Sequence, residues 1–379
     1  IQWLPEAGSE EANRLNKDIA RHVKARFCLN EGTHYKYHDE LEYASEAEKW
    51  LQMAATESDK LITSGRYEIY NTGHPQEDYF NMYRIDDKSD LKEAVLYVDY
   101  KTNIREHNMA AAGREAGCGF SKSFVESFLC SDGLPISLSN KYLGDETMRK
   151  ETANRDPRLK QLILTNDFPT NVTDDLKDST FVVNEDEFIT QHCFTGYRPI
   201  KGFNPIYSQA LYMKSSFDGI AYRYAETLLI NAEAKAELNT ITNADLDRTV
   251  NQLRDRVGMP HLTVNVGFTD PKWPDWGYSL SPVLQEIRRE RCIELAGEGF
   301  RFNDLKRWKA GKLLNNVLTY VGKRKPDGNL AIVYPNYTNP DLSYQAGKSR
   351  TWEDKMYLYP IPTGELQRNP QLLPQNPGW

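Results

Sequence analysis

The chain has 379 residues, of which 39% are hydrophobic and 27% charged, a balance that fits a folded globular body. Its length suggests roughly two to three domain-sized units. Its net charge of −7 argues against a nucleic-acid partner, because phosphate binding requires clustered positive charge. Cys28, Cys118, Cys130, Cys193 and Cys292 are widely spaced with no CxxC, a pattern of neither a zinc site nor a disulfide framework. No run approaches the roughly 20 apolar residues that cross a bilayer. The opening Ile1-Gln2-Trp3-Leu4-Pro5 turns polar at once and reads as no signal peptide, which fits a cytoplasmic protein or a mature or shortened form.

The first helix is expected to start after Gly8-Ser9, with Ser9 as N-cap and Ala12, Leu15, Ile19 and Val23 forming a buried stripe. Asn30, Gly32 and Thr33 are expected to end it near Leu29. A second helix follows over about Ser45–Ser64, burying Ala47, Trp50, Leu51, Ala54 and Leu61, with Gly65 placed to close it. Two antiparallel helices joined by a short loop match a tetratricopeptide unit, so residues 1–70 read as one helical hairpin.

Periodicity fades over residues 71–221, a loop-rich segment with short strands at Ala94–Tyr100 and Phe181–Val183. Turn clusters at Ser131–Pro135 and Asn154–Pro157 lie between them. Loops of this length usually bind something or wrap a domain. Residues 222–379 form a C-terminal helical region with a loop-rich tail. Here Ala225, Leu228, Leu229, Ala232 and Ala236 make the inner face of a helix over about Ala221–Leu238. Thr242 caps a partner helix carrying Leu246, Val250, Leu253 and Val257, which Gly258 and Pro260 end. Ser281-Pro282 then opens a third helix. The fold class is mainly α, with tetratricopeptide-like hairpins packed against a long loop-rich segment.

The densest feature is IRRERCIELAGEGFRFNDLKRW, Ile287–Trp308. Helical spacing puts Leu284, Ile287, Arg291 and Leu295 on one face, with Glu294 and Glu298 beside them. Charges on a buried stripe must pair, so Arg291, Glu294, Glu298, Arg301 and Arg307 read as a structural ion network. A metal site or an acid/base pair is the competing reading. Arginines outnumber the carboxylates a metal would need.

This stretch resembles the SusD/RagB family, with "R.ER.iElafEG.R..DLrRW" matched over Arg288–Trp308. The same family pattern is matched in order elsewhere: SFVESFLCSDGLPI from Ser123, NRDPR from Asn154, Thr195-Gly196-Tyr197 with Lys201, YRYAETLLINAEAKA from Tyr222, NQLRDRVGMP from Asn251, and YLYPIPTGELQRNP with QNPGW at the end. The resemblance covers nearly the whole chain. It implies a surface-exposed outer-membrane lipoprotein with an N-terminal lipid anchor and a SusC-like TonB-dependent transporter as partner. The implied ligand is an oligosaccharide or polysaccharide, with peptide in the RagB branch as the alternative. The family's lipoprotein cysteine and first helices are not found ahead of Ile1, so the chain resembles the C-terminal portion of a longer protein.

A sugar ring is held by an exposed aromatic plane with polar acceptors nearby. Trp50 and Trp308 fall on apolar stripes and read as core. Trp273, Trp276 and Tyr278 lie in FTDPKWPDWGYSLSP, where Pro and Gly forbid a helix, with Asp270 and Asp275 as acceptors. They are the leading glycan-binding candidates. Tyr337 and Tyr344, with Tyr334, form a second group. His34 and His38 have an i, i+4 metal spacing, but Gly32 and Thr33 precede them and no Glu follows the first. No metal or other cofactor is expected, and nothing in the sequence supports calcium. There is no GxGxxG, P-loop or GxSxG. A glycosidase reading would nominate Asp270/Asp275 or Glu294/Glu298, and is the weakest of the three. The expectation is a binding protein that catalyses nothing.

Overall fold

A computed structural model describes residues 1–9, 13–109, 119–174, 179–190, 193–332 and 351–379. Its first long helix, α1, spans Lys17–Tyr37, and α2 spans Ala47–Thr63. The start of α1 differs from expectation. Asn16, not Ser9, is the cap, its side chain accepting the amides of Asp18 and Ile19. The buried face is also rotated: Leu15 is 66% and Val23 41% exposed, while Ile19, His22, Ala25, Cys28 and Leu29 are inside. Polar residues decide that rotation, because Asp18 pairs with Arg21 and Arg66, and His22 bonds Glu226 and Thr227. Ala12 lies outside the described residues.

Gly32 and Thr33 do not end α1. A Cβ on Gly32 would stand 2.8 Å from Leu51 Cγ, so the glycine is where α2 crosses closest. Thr33 is buried and returns its hydroxyl to the Leu29 carbonyl. Gly65, with φ +65°, follows α2 as expected.

The middle segment carries β1 (Ala94–Val98), β2 (Pro169–Val172) and β3 (Ser179–Phe181), with several one-turn helices. β4 (Gly219–Arg223) returns to pair antiparallel with β1 and leads directly into α3 (Tyr224–Glu237). The expected helix start at Ala221 therefore falls inside a strand. Helix α3 is buried on nearly every side, packed between α2 and α6 (Pro282–Glu294). Thr242 forms a capping box on α4 (Asn243–Asp247), and α5 (Val250–Arg256) follows after a break at Thr249. Ser281 accepts the Leu284 amide at the start of α6. Helix α7 (Arg301–Arg307) completes the group, ahead of the antiparallel pair β5 (Val321–Arg324) and β6 (Leu330–Ile332).

Two apolar clusters organise the body. One joins α3, α5 and α6 through Leu228, Leu253 and Ile287; the other sets Tyr79, Phe128, Leu162 and Tyr197 of the middle segment against Val257 and Ile293. The loop-rich segment therefore shares its core with the C-terminal helices. No described helix is long and apolar enough to cross a membrane.

Candidate functional site

The charged stretch folds into a buried lattice. Glu294 accepts from Arg158 Nη1 at 3.0 Å, Arg223 Nη1 at 2.6 Å and Arg256 Nη2 at 2.7 Å. Glu93 adds a second carboxylate between Arg223 and Arg256, and Glu290 binds Arg158 and Arg254. Burial raises the Glu294 pKa, but Arg256, Arg223 and Arg158 outweigh it and hold the carboxyl well below the usual range. Glu298 pairs with Arg223 and with Lys201, whose ammonium burial brings down to about 8. Arg291 and Arg307 share Asp304, and Arg307 also takes Glu233. Arg301 differs from expectation: it is exposed, reaches only the Trp308 ring at 5.9 Å, and has no described carboxylate partner. A buried carboxylate gripped by three arginines has no lone pair left for a metal and no proton to give near neutral pH, so Glu294 serves the packing. Glu298, held by Arg223 and Lys201, keeps about a fifth of its side chain exposed and lines a groove.

The tryptophan loop also departs from expectation. Trp276 is 5% exposed, donates Nε1–H to Gln285, and meets Trp308 edge-on at 5.5 Å. Trp273 is half-buried and donates to Glu286 at 2.8 Å. Tyr278 stacks on Tyr37 at 4.4 Å and gives its hydroxyl to the Trp308 carbonyl. The Arg288 guanidinium lies over both indoles, 4.8 Å from Trp276 and 4.4 Å from Trp308. Asp270 is buried against Arg289 and Ser137, and exposed Asp275 accepts the Gly277 amide. The loop lies back on the first turns of α6, where Gln285 and Glu286 supply the acceptors a buried indole N–H needs. Tyr334, Tyr337 and Tyr344 lie outside the described residues. His34 on the last turn of α1 and His38, its C-cap, stack at 4.1 Å, but His38 spends its nitrogens on Glu40 and the Lys306 carbonyl. Among the described residues no group of three or more His, Cys, Asp or Glu could hold a metal.

A different set of rings stands exposed on the middle segment. Residues 99–109 and 205–217 run side by side, bridged by paired backbone bonds between His107 and Ser215. Further ties are Met213 N–H to Asn108, the Lys214–Glu106 ion pair, and Thr102 to Ser216. His107 is the pin. Burial lowers its pKa, and the neutral ring donates from Nε2 to the Phe217 carbonyl while Nδ1 accepts the Met109 amide. On the other flank β2 joins the same strip, Val172 N–H bonding the Pro205 carbonyl and Asp174 accepting from Ser208.

These tied loops leave rings in solvent. Tyr212 is 75% exposed, Tyr207 53% and Ile104 78%, with Phe181 at the end of β3 and Val183 just after it also exposed. Met213 holds φ +55°, a conformation non-glycine residues seldom adopt, immediately after Tyr212. Large exposed apolar side chains on segments tied to one another make this a candidate contact surface. In the sequence, YSQALYM carries neither helical nor strand periodicity. Their signal was aromatic residues inside an aperiodic run.

A family model for the SusD family matches residues 56–379. The chain belongs to the SusD family. Over 166 residues it is 33% identical to SusD-like protein P2 of Formosa agariphila, a match covering 44% of this chain and 27% of that relative. The chain thus spans only about a quarter of the curated relative's length. A SusD-like protein from Bacteroides fragilis has the same fold, with a TM-score of 0.68, 24% identity, and coverage of 100% of this chain and 68% of its own. A second solved structure, a SusD-like carbohydrate-binding protein from the same species, gives 0.65, 22% identity, and coverage of 98% and 68%.

Proposed function

We propose that the protein binds a glycan at a bacterial cell surface and delivers it to a SusC-like TonB-dependent transporter in the outer membrane, catalysing nothing itself. The site is the face built by residues 99–109 and 205–217. One observation carries this reading: Tyr207 and Tyr212 stand exposed on loops cross-tied by backbone and side-chain bonds. A backbone already held in place loses little freedom when a sugar stacks on the rings it carries, so more of the contact energy appears as affinity. Membership of the SusD family and the carbohydrate-binding relative support the ligand class.

The test is affinity electrophoresis through gels carrying different polysaccharides. The protein should be retarded on at least one of them. Tyr212→Ala with Tyr207→Ala should abolish the retardation while leaving the fold intact. Equal retardation of the double variant would remove this face from the site. No retardation on any glycan, with the protein folded, would overturn the function.

A further inference from the structure

A groove of about 1100 Å³ opens between α1, the start of β4 and the turn that joins α6 to α7. Met109 ends one of the two tied strips, Asp218 follows the other, and both line the groove. It is therefore an inner extension of the face that carries Tyr207 and Tyr212. Most of its charged lining is already spent. Lys201 donates to Tyr79, the Ala296 carbonyl and Glu298, and Arg223 holds Glu298 as well. Asp218 accepts the Lys88 and Tyr100 amides, and Arg307 is divided between Asp304 and Glu233. Two arginines differ. Arg291 is 3% exposed and bonds Asp304 through Nε, with Glu233 3.8 Å from the same nitrogen. Its buried Nη1 has no hydrogen-bond partner among the described residues. Arg26 gives one edge to Glu226 and keeps 32% of its side chain exposed. Their guanidinium carbons lie 5.4 and 5.0 Å from the centre of one ring, the half-buried Phe300.

Folded proteins rarely keep a buried N–H without an acceptor, because burial has already stripped it of water. No described side chain fills that need at Arg291, which leaves the groove as the source of an acceptor. A guanidinium pairs best with a flat group that accepts twice, and a carboxylate has that shape. The Phe300 ring beside both arginines is an apolar plane of the kind that the C–H face of a sugar covers. We propose that the groove takes a uronic acid residue of the glycan, its carboxylate on Arg291 and Arg26 and its ring against Phe300. This rests on the glycan reading above and adds the acidity of the ligand to it. The chain carries a net charge of −7, so long-range attraction would not draw in a polyanion. A preference for the acid has to be local.

The experiment is isothermal titration calorimetry of the full chain with tetrasaccharides from polygalacturonate, alginate and hyaluronan, each beside its carboxyl-reduced form. At least one uronate should bind about tenfold more tightly than its reduced form. Arg291→Gln should bring that ratio to within about twofold, and Phe300→Ala should weaken both forms alike. Should Arg291→Gln fail to fold, the wild type decides. Phenylglyoxal modification of Arg26, mapped by peptide mass spectrometry, should slow about fivefold in saturating uronate and stay unchanged in the reduced form. Equal affinity for acid and reduced forms throughout, with glycans still retarded in the gels, would overturn this proposal and leave glycan binding standing. An acid preference that survives Arg291→Gln, or Arg26 modification untouched by bound uronate, would put the carboxylate elsewhere and overturn it too. Tetraglutamate binding as tightly as the uronate would assign the groove to an acidic peptide instead. Absence of binding to any glycan would bring down both readings.

Discussion

Replacing Glu294 with glutamine keeps the shape of the side chain and removes one charge from the centre of the lattice. In the wild type, Arg158, Arg223 and Arg256 converge on this carboxylate, each at most 1% exposed at its side chain. Glu93, Glu290, Asp156 and Glu298 remain as anions in the variant, so the arginines keep partial partners. Even so, removing one member of a buried ion pair costs roughly 3–5 kcal/mol, because the remaining charge has no water to replace its partner. For 379 residues the unfolding entropy is about 0.8 kcal/mol/K, so the melting temperature should drop by roughly 4–6 °C. Differential scanning calorimetry of Glu294→Gln would measure this. Asp167→Asn is the control: it removes an exposed partner of Arg149 and Lys160 and should cost below about 1 kcal/mol. Equal shifts in the two variants would refute the view that the lattice is dry and tightly paired.

Trp276→Ala should destabilise the fold by roughly 3–5 kcal/mol in a denaturant titration, whereas Tyr212→Ala should stay within about 0.5 kcal/mol of wild type. The reverse order would put the tryptophan loop outside the core. Gly32→Ala should cost about 1–3 kcal/mol, since the new methyl meets Leu51 Cγ at 2.8 Å and its backbone nitrogen at 2.9 Å. A neutral result would mean that α1 and α2 separate easily. Stability should also fall on acidification. Burial raises the Glu226 pKa, but His22 and Arg26 more than offset it and hold the carboxyl at about 2, against an ordinary value of 4.5. A depressed carboxyl contributes stability that is complete above pH 4.5 and lost as pH falls toward 2, here roughly 3 kcal/mol. Glu226→Gln should flatten that limb of a pH–stability curve measured by urea unfolding, and an unchanged slope would contradict the assignment.

The helical frame was readable because Leu228, Leu253 and Ile287 recur at helical spacing and Thr242, Ser281 and Gly65 mark ends by short-range chemistry. What the periodicity of α1 could not reveal was which face wins. Asp18 and His22 look like surface residues until Arg66 and Glu226 arrive from 48 and 204 positions away. Gly32 reads as a breaker for the same reason, since the Leu51 side chain that needs its missing Cβ belongs to another helix. The arginine–glutamate network was legible in kind. Its central partners Arg158, Arg223, Arg256 and Glu93 come from separate stretches, and Arg301, inside the charged run, takes no part. The tryptophan loop misled because local sequence shows that a ring cannot be helical, not whether Gln285 and Glu286 will receive its N–H. Tyr207 and Tyr212 were invisible to pattern because their placement depends on cross-ties to residues 99–109.

The lattice around Glu294 has a bearing on how the molecule comes together. Its members sit on six stretches of chain, from Glu93 to Glu298, and none can leave water until its counterparts are in place. A half-assembled body would have to keep its centre wet, so docking of the aperiodic middle onto the helices and closure of the interior become a single event. Mutational drift is constrained in the same way, because a changed member requires a matching change on a distant stretch.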